Sequence, residues 1–204
     1  MGENYDGKKL AKCFEVASAT WKEIDSLAQI LNKIIEESLS KNGTRYEKEK
    51  RIAFCMDDTD WIGTDVAQSF GIFQHRGKKP NRFLGYQVSV LGDGMLVAEE
   101  PLVHFVCWNY ALSFDDGIYV GFPFDEEPPT KVESDRLIWW TEDGLPQWMF
   151  SVRLTFINDE ASVARIAHAM IALLQEKPLE EALPSSLPGL VLYHLDGDTL
   201  KVIN

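Results

Sequence analysis

The chain is short of positive charge. Its 204 residues hold 20 Lys and Arg against 32 Asp and Glu, a net charge of −12. A generic nucleic-acid binder needs a basic face to neutralise phosphates, so that class is set aside. The same deficit argues against an anionic membrane surface as partner. Cysteine is sparse too. Cys13, Cys55 and Cys107 are odd in number and far apart, with no Cys-x-x-Cys pair, so there is no disulfide framework. They read as reduced thiols of a cytoplasmic protein. No run reaches the roughly 18 apolar residues that a membrane span needs. Residues 1–6 lack the apolar stretch of a secretory signal. The four histidines, His75, His104, His168 and His194, show no metal-ligand spacing. A Gly-x-Gly-x-x-Gly loop and a Gly-x-Ser-x-Gly elbow are also missing.

What is present suits one globular domain over residues 1–204. Hydrophobic residues make up 45% and aromatic ones 11%, enough to build a core. A helix is expected over about 8–40. Leu10, Phe14, Ala17, Trp21, Ile24, Ala28, Leu31 and Ile35 recur at alternating steps of four and three, a heptad-like seam. Leu27 and Ile34 widen the seam, which suits packing on a sheet, and Gly43 suits a left-handed cap. Covering its own core is the expected role of this helix; pairing with a second copy, as a homodimer, is the alternative.

Strands follow over about 52–157. Phe83–Leu91 is expected to be a strand stopped by Gly92-Asp93-Gly94, with Met95–Ala98 as its hairpin partner. Leu102–Trp108 is nearly all apolar, the mark of a central strand buried on both faces. Asp115-Asp116-Gly117 reads as a hairpin turn leading to a return strand at Ile118–Phe124. Arg136–Trp140 and Gln147–Ile157 flank another turn. In the second of these, Trp148, Phe150, Val152, Leu154 and Phe156 alternate with Met149, Ser151, Arg153 and Thr155, which predicts a half-buried strand. A helix over about 159–176 starts at Asn158 as N-cap, and a terminal hairpin spans about 190–203. The expected class is α+β: a predominantly antiparallel sheet of about seven strands with a long N-terminal helix and a second helix.

Charge is unevenly distributed. Residues 1–50 sum to zero, with nine basic and nine acidic side chains, whereas residues 99–160 hold 13 acids against Lys131, Arg136 and Arg153, a net −10. Most of these acids fall at expected turns. A rim of this kind attracts a basic protein partner. The candidate contact residues are Asp125, Glu126, Glu127, Glu142 and Asp143, with Trp139 and Trp140 as aromatic anchors. The expected function is that of an acidic cytoplasmic interaction protein, in an inhibitor, immunity-like, adaptor or chaperone role.

Two weaker constellations remain. Arg76, Lys78, Lys79 and Arg82 form a basic loop around Gly77 suited to an anion, though without the P-loop pattern. Asp57, Asp58 and Asp60, with Asp65 near by, are weak metal candidates and would support the alternative of an enzyme or ligand-binding protein with an atypical site. EF-hand spacing fails, because Ile62 and Gln68 stand where Gly and Glu are required. A Cys107–His104 nucleophile pair is disfavoured, since residues three apart in a strand face opposite sides. No cofactor is indicated.

Overall fold

The computed structural model describes residues 7–55, 63–73, 77–95, 100–122, 124, 129–142, 145–197 and 199–203. The long helix α1 is Gly7–Lys41, as the seam predicts. Gly43 takes φ 67°, Gly43 N–H donates to Ser40 O at 3.0 Å and Thr44 N–H to Leu39 O at 3.0 Å. This paired closure satisfies carbonyls that the helix end leaves open, and it needs a residue that tolerates positive φ.

Among the described residues, eight strands form one antiparallel sheet. They are β1 (Tyr46–Lys48), β2 (Ile52–Cys55), β3 (Gly63–Ile72), β4 (Arg82–Ser89), β5 (Leu102–Trp108), β6 (Lys131–Glu133), β7 (Leu137–Glu142) and β8 (Leu145–Arg153). The order is β1-β3-β4-β5-β8-β7-β6, with β2 on the other half of β3's edge. A separate hairpin joins β9 (Leu192–Asp196) to β10 (Thr199–Ile203). Helix α2 is Glu160–Leu174, and a single turn, α3, spans Leu179–Ala182. The architecture is α+β.

Both long helices lie on one face of the sheet. Ile24, Ala28, Leu31 and Ile35 of α1 and Val163, Ile166 and Met170 of α2 share a core with Phe70, Tyr86, Phe105, Trp148 and Phe150. Phe105 and Phe150 stack across β5 and β8 with ring centroids 5.0 Å apart. β5 is buried on both sides, as its apolar run predicts.

Several expectations are corrected. The N-cap of α2 is Asp159, not Asn158: Ser162 N–H donates to Asp159 Oδ1 at 2.6 Å, and Ser162 Oγ stands 3.1 Å from Asp159 N–H. The expected return strand at Ile118–Phe124 is reduced to one bridge, Ser113 to Ile118. Beyond it the chain crosses the second face of the sheet. Gln147–Ile157 remains a strand only to Arg153, after which Leu154–Phe156 form a short 3-10 turn. Met149 and Ser151, expected on an open face, are fully buried. The reason is a second layer: Leu112, Val120, Val191 and Tyr193 cover that face and make a smaller core with Ala67, Val106, Ile138 and Met149. Part of the expected Met95–Ala98 partner strand lies outside the described residues.

Helix α1 is divided. Residues from Trp21 onward pack on the sheet, whereas residues 7–20 run past its end, where Trp21 meets Gly63 at the start of β3. Leu10, Phe14 and Val16 stay 48%, 50% and 57% exposed. The expectation that the whole seam packs on the sheet therefore holds for its C-terminal half only.

Candidate functional site

The β6–β7 edge carries both candidate aromatic anchors, one on each face of the sheet. Successive residues of a strand face opposite sides, so Trp139 joins the helix-covered face and Trp140 the other. Both are half-buried. Trp139 pairs with Trp148 across the ladder. Trp140 meets Phe124 edge-on at 5.3 Å and Trp108 at 6.4 Å. Lys131 Nζ lies 5.2 Å from the centroid of the Trp139 ring and donates to Glu133 Oε2 at 2.9 Å. A ring face and a carboxylate thus hold a cation together at this edge.

Asp125, Glu126, Glu127 and Asp143 lie outside the described residues, as does the side chain of Glu142. Phe124, before the first three, and residues from 129 onward, after them, are described. Phe124 packs on Trp140, and Thr130 N–H donates to Trp139 O at 2.8 Å. Glu142 ends β7 two residues beyond Trp140. Glu133 stands on the edge strand, and exposed Asp135 sits in the following turn at φ 56°. Other acids of the same stretch lie elsewhere: Glu100 is paired with Arg153 at 2.7 Å, and Asp159 caps α2. Hydrogen bonds from Ser162 hold the Asp159 carboxyl below its ordinary range.

The basic loop is described in part. Arg76 lies outside the described residues, and Lys78 and Lys79 are exposed. Arg82 Nη2 donates to Pro146 O at 3.4 Å, and its guanidinium lies beside the Cys107 thiol. It lines a cavity of about 290 Å³ with Leu39, Asn42, Ile171 and Gln175, where α1 and α2 both end. Helix C-termini carry partial negative charge, so a cation there serves the helices themselves. Asp57, Asp58 and Asp60 are outside the described residues. No group of three or more His, Cys, Asp or Glu with metal-binding geometry occurs among the described ones.

A buried polar row crosses the second face of the sheet, and it was not anticipated. Gln87, His104 and Ser151 are aligned across β4, β5 and β8. Gln87 Nε2 stands 3.1 Å from Asp65 Oδ1, 3.0 Å from Ser89 Oγ and 2.9 Å from Val120 O, and its Oε1 accepts from Val120 N–H at 2.8 Å. His104 Nε2 is 2.7 Å from Gly94 O. A carbonyl only accepts, so the proton sits on Nε2, and Nδ1 accepts from Ser151 Oγ at 2.7 Å. Burial lowers the His104 pKa to about 4 and raises that of Asp65. Tyr193 Oη, fully buried beside Ser151, makes no well-formed hydrogen bond. A serine donating to a histidine has the form of a nucleophile and its base. Here both are fully buried, with the Phe122 ring 5.8 Å from His104. The row fastens the crossing segments to the sheet.

Gly94 makes this fastening possible. A Cβ there would lie 2.1 Å from Ser89 Oγ and 2.9 Å from Asp65 Oδ1. His104 and Cys107 face opposite sides of β5, as three-residue spacing requires; Cys107 belongs to the helix-side core, and burial raises its thiol pKa to about 11. The row had a sequence signal in Gln87, His104 and Ser151, each a polar residue between two apolar neighbours on its strand. Which of them are aligned is a matter of register.

No protein-family model, curated protein or solved structure matches this chain. Among the described residues, no helix is long and apolar enough to cross a membrane.

Proposed function

We propose that this protein acts by binding a basic protein partner on its β6–β7 edge. The contact residues in this reading are Trp139 and Trp140 with Asp125, Glu126, Glu127, Glu142 and Asp143. The observation that carries it is the way Lys131 is held, over the Trp139 ring and against Glu133 at 2.9 Å. An incoming Lys or Arg finds the same chemistry on an edge rich in acids. Further support comes from Phe124 and Thr130, which tether both flanks of the acidic stretch to the tryptophan pair. The net −10 of residues 99–160 adds long-range attraction that speeds encounter.

The test is affinity capture at low salt, followed by a high-salt wash. A stoichiometric basic protein should be retained by the native chain and released by salt. It should be lost from the combined variant Asp125→Lys, Glu126→Lys and Glu127→Lys. Equal retention by that variant at low salt would exclude the acidic edge as the docking surface.

A further inference from the structure

We infer that the projecting half of α1 pairs with the same segment of a second copy, as an antiparallel two-helix contact. This inference is independent of the acidic edge. Residues 7–20 amount to 14 positions of helix, about 21 Å at 1.5 Å per residue. They extend a helix whose second half is packed and gain no packing of their own from the body. Its stripe of Leu10, Phe14 and Ala17 leads through half-buried Trp21 into the buried seam of Ile24, Ala28, Leu31 and Ile35 without a break in spacing.

The width of the stripe says what covers it. On the sheet, Leu27 flanks the seam and is buried with it, and Ile34 packs against the same core. One and two heptads before Leu27, the equivalent positions hold Thr20 and Cys13, and the opposite flank holds Ala11 and Ser18. The projecting seam is therefore narrow and bordered by small uncharged residues, the form that suits one facing helix rather than a sheet. All its charges, Lys8, Lys9, Lys12, Glu15 and Lys22, fall on the side away from the seam. Two identical copies thus meet without like charges in contact.

Volumes select the antiparallel arrangement. A two-fold axis between residues 15 and 16 sets Phe14 of each copy against the other's Ala17, and Leu10 against the other's Trp21. Each Phe ring then meets a small residue. A parallel pair would set Phe14 on Phe14 and Ala17 on Ala17. Residues 7–20 carry three Lys against one Glu, a net +2, and residues 21–204 sum to −12. The antiparallel pair sets Lys8 level with the second copy's Glu23 and Lys9 level with its Lys22, and it keeps the two acidic bodies apart. Closed two-fold symmetry of this kind is the commonest form of self-association.

Sedimentation equilibrium of the full chain, from micromolar to near-millimolar protein, tests the inference. The expected mass approaches twice 23.2 kDa and falls on dilution. Phe14→Glu should weaken association at least tenfold and leave the circular dichroism spectrum of the body unchanged, since Phe14 touches no core. In a Cys13→Ser background, mixed Phe14→Cys and Ala17→Cys chains should form an interchain disulfide, while Phe14→Cys chains alone should not. A monomer at every concentration would overturn the inference, as would a dimer indifferent to Phe14→Glu. Self-linked Phe14→Cys chains would overturn the antiparallel register. Phe14-dependent binding to anionic phospholipid vesicles by a chain that stays monomeric in solution would reassign the stripe to a lipid surface.

Discussion

Single residues hold this fold together where the sequence pattern is least regular. His104 is the main case, because burial keeps it neutral at a pKa of about 4. The unfolded chain protonates it near 6.5. Between these values the unfolded state binds more protons, so stability falls as pH drops through that window, by about 1.4 kcal/mol per unit from this residue. Asp65 is shifted upward by burial, which works in the opposite sense and offsets part of the loss. Urea unfolding across pH 7 to 4.5 should show this dependence, and His104→Gln should flatten it. An identical slope in the variant would mean that another group is responsible. Gly94→Ala should destabilise by about 2 kcal/mol or more through overpacking, because the added methyl has Ser89 and Asp65 in its way. The residue scale was partly legible: Gln87, His104 and Ser151 each stand between apolar neighbours, but their alignment comes from strand register.

At the scale of elements, helix ends and strand alternation were readable because they depend on neighbours in the chain. The Gly43 closure of α1 needs only the last turn and two following residues. Gly43→Ala should cost about 1 kcal/mol in a urea titration, from the positive φ the new side chain must adopt. The N-cap of α2 was misplaced by one residue, since Asn158 and Asp159 are both good caps and only the Ser162 contact decides between them. Asp159→Ala should lower stability by about 1 kcal/mol, and Asn158→Ala much less. Comparable losses in both variants would contradict the observed cap.

For the whole molecule, charge and layering matter most. The −12 chain is unevenly charged: the projecting residues 7–20 sum to +2 and residues 21–204 to −12. Thermal midpoints should therefore rise with moderate salt, as repulsion within the acidic body is screened. A midpoint that falls over the same range would show that attractive pairs such as Arg153 with Glu100 outweigh that repulsion. The candidate edge was legible as aromatic and acidic residues near one turn. What brings Phe124 and Thr130 to Trp140 and Trp139 was not, because those contacts follow an irregular crossing of the sheet.

By itself the sequence determined the α+β class, the long helix, the buried central strand and the charge imbalance. Each follows from composition or from a period of two or 3.6, which residues impose on their near neighbours. The tertiary structure alone decided that the sheet is covered on both faces, that Met149 and Ser151 are therefore buried, and that the α1 seam is half packed and half bare. These outcomes rest on contacts between segments far apart in the chain, such as Val120 with Gln87 and Tyr193 with Asp135. A hydrophobic period tells a side chain which side of its own element to take. It does not say whether another segment will arrive to cover that side.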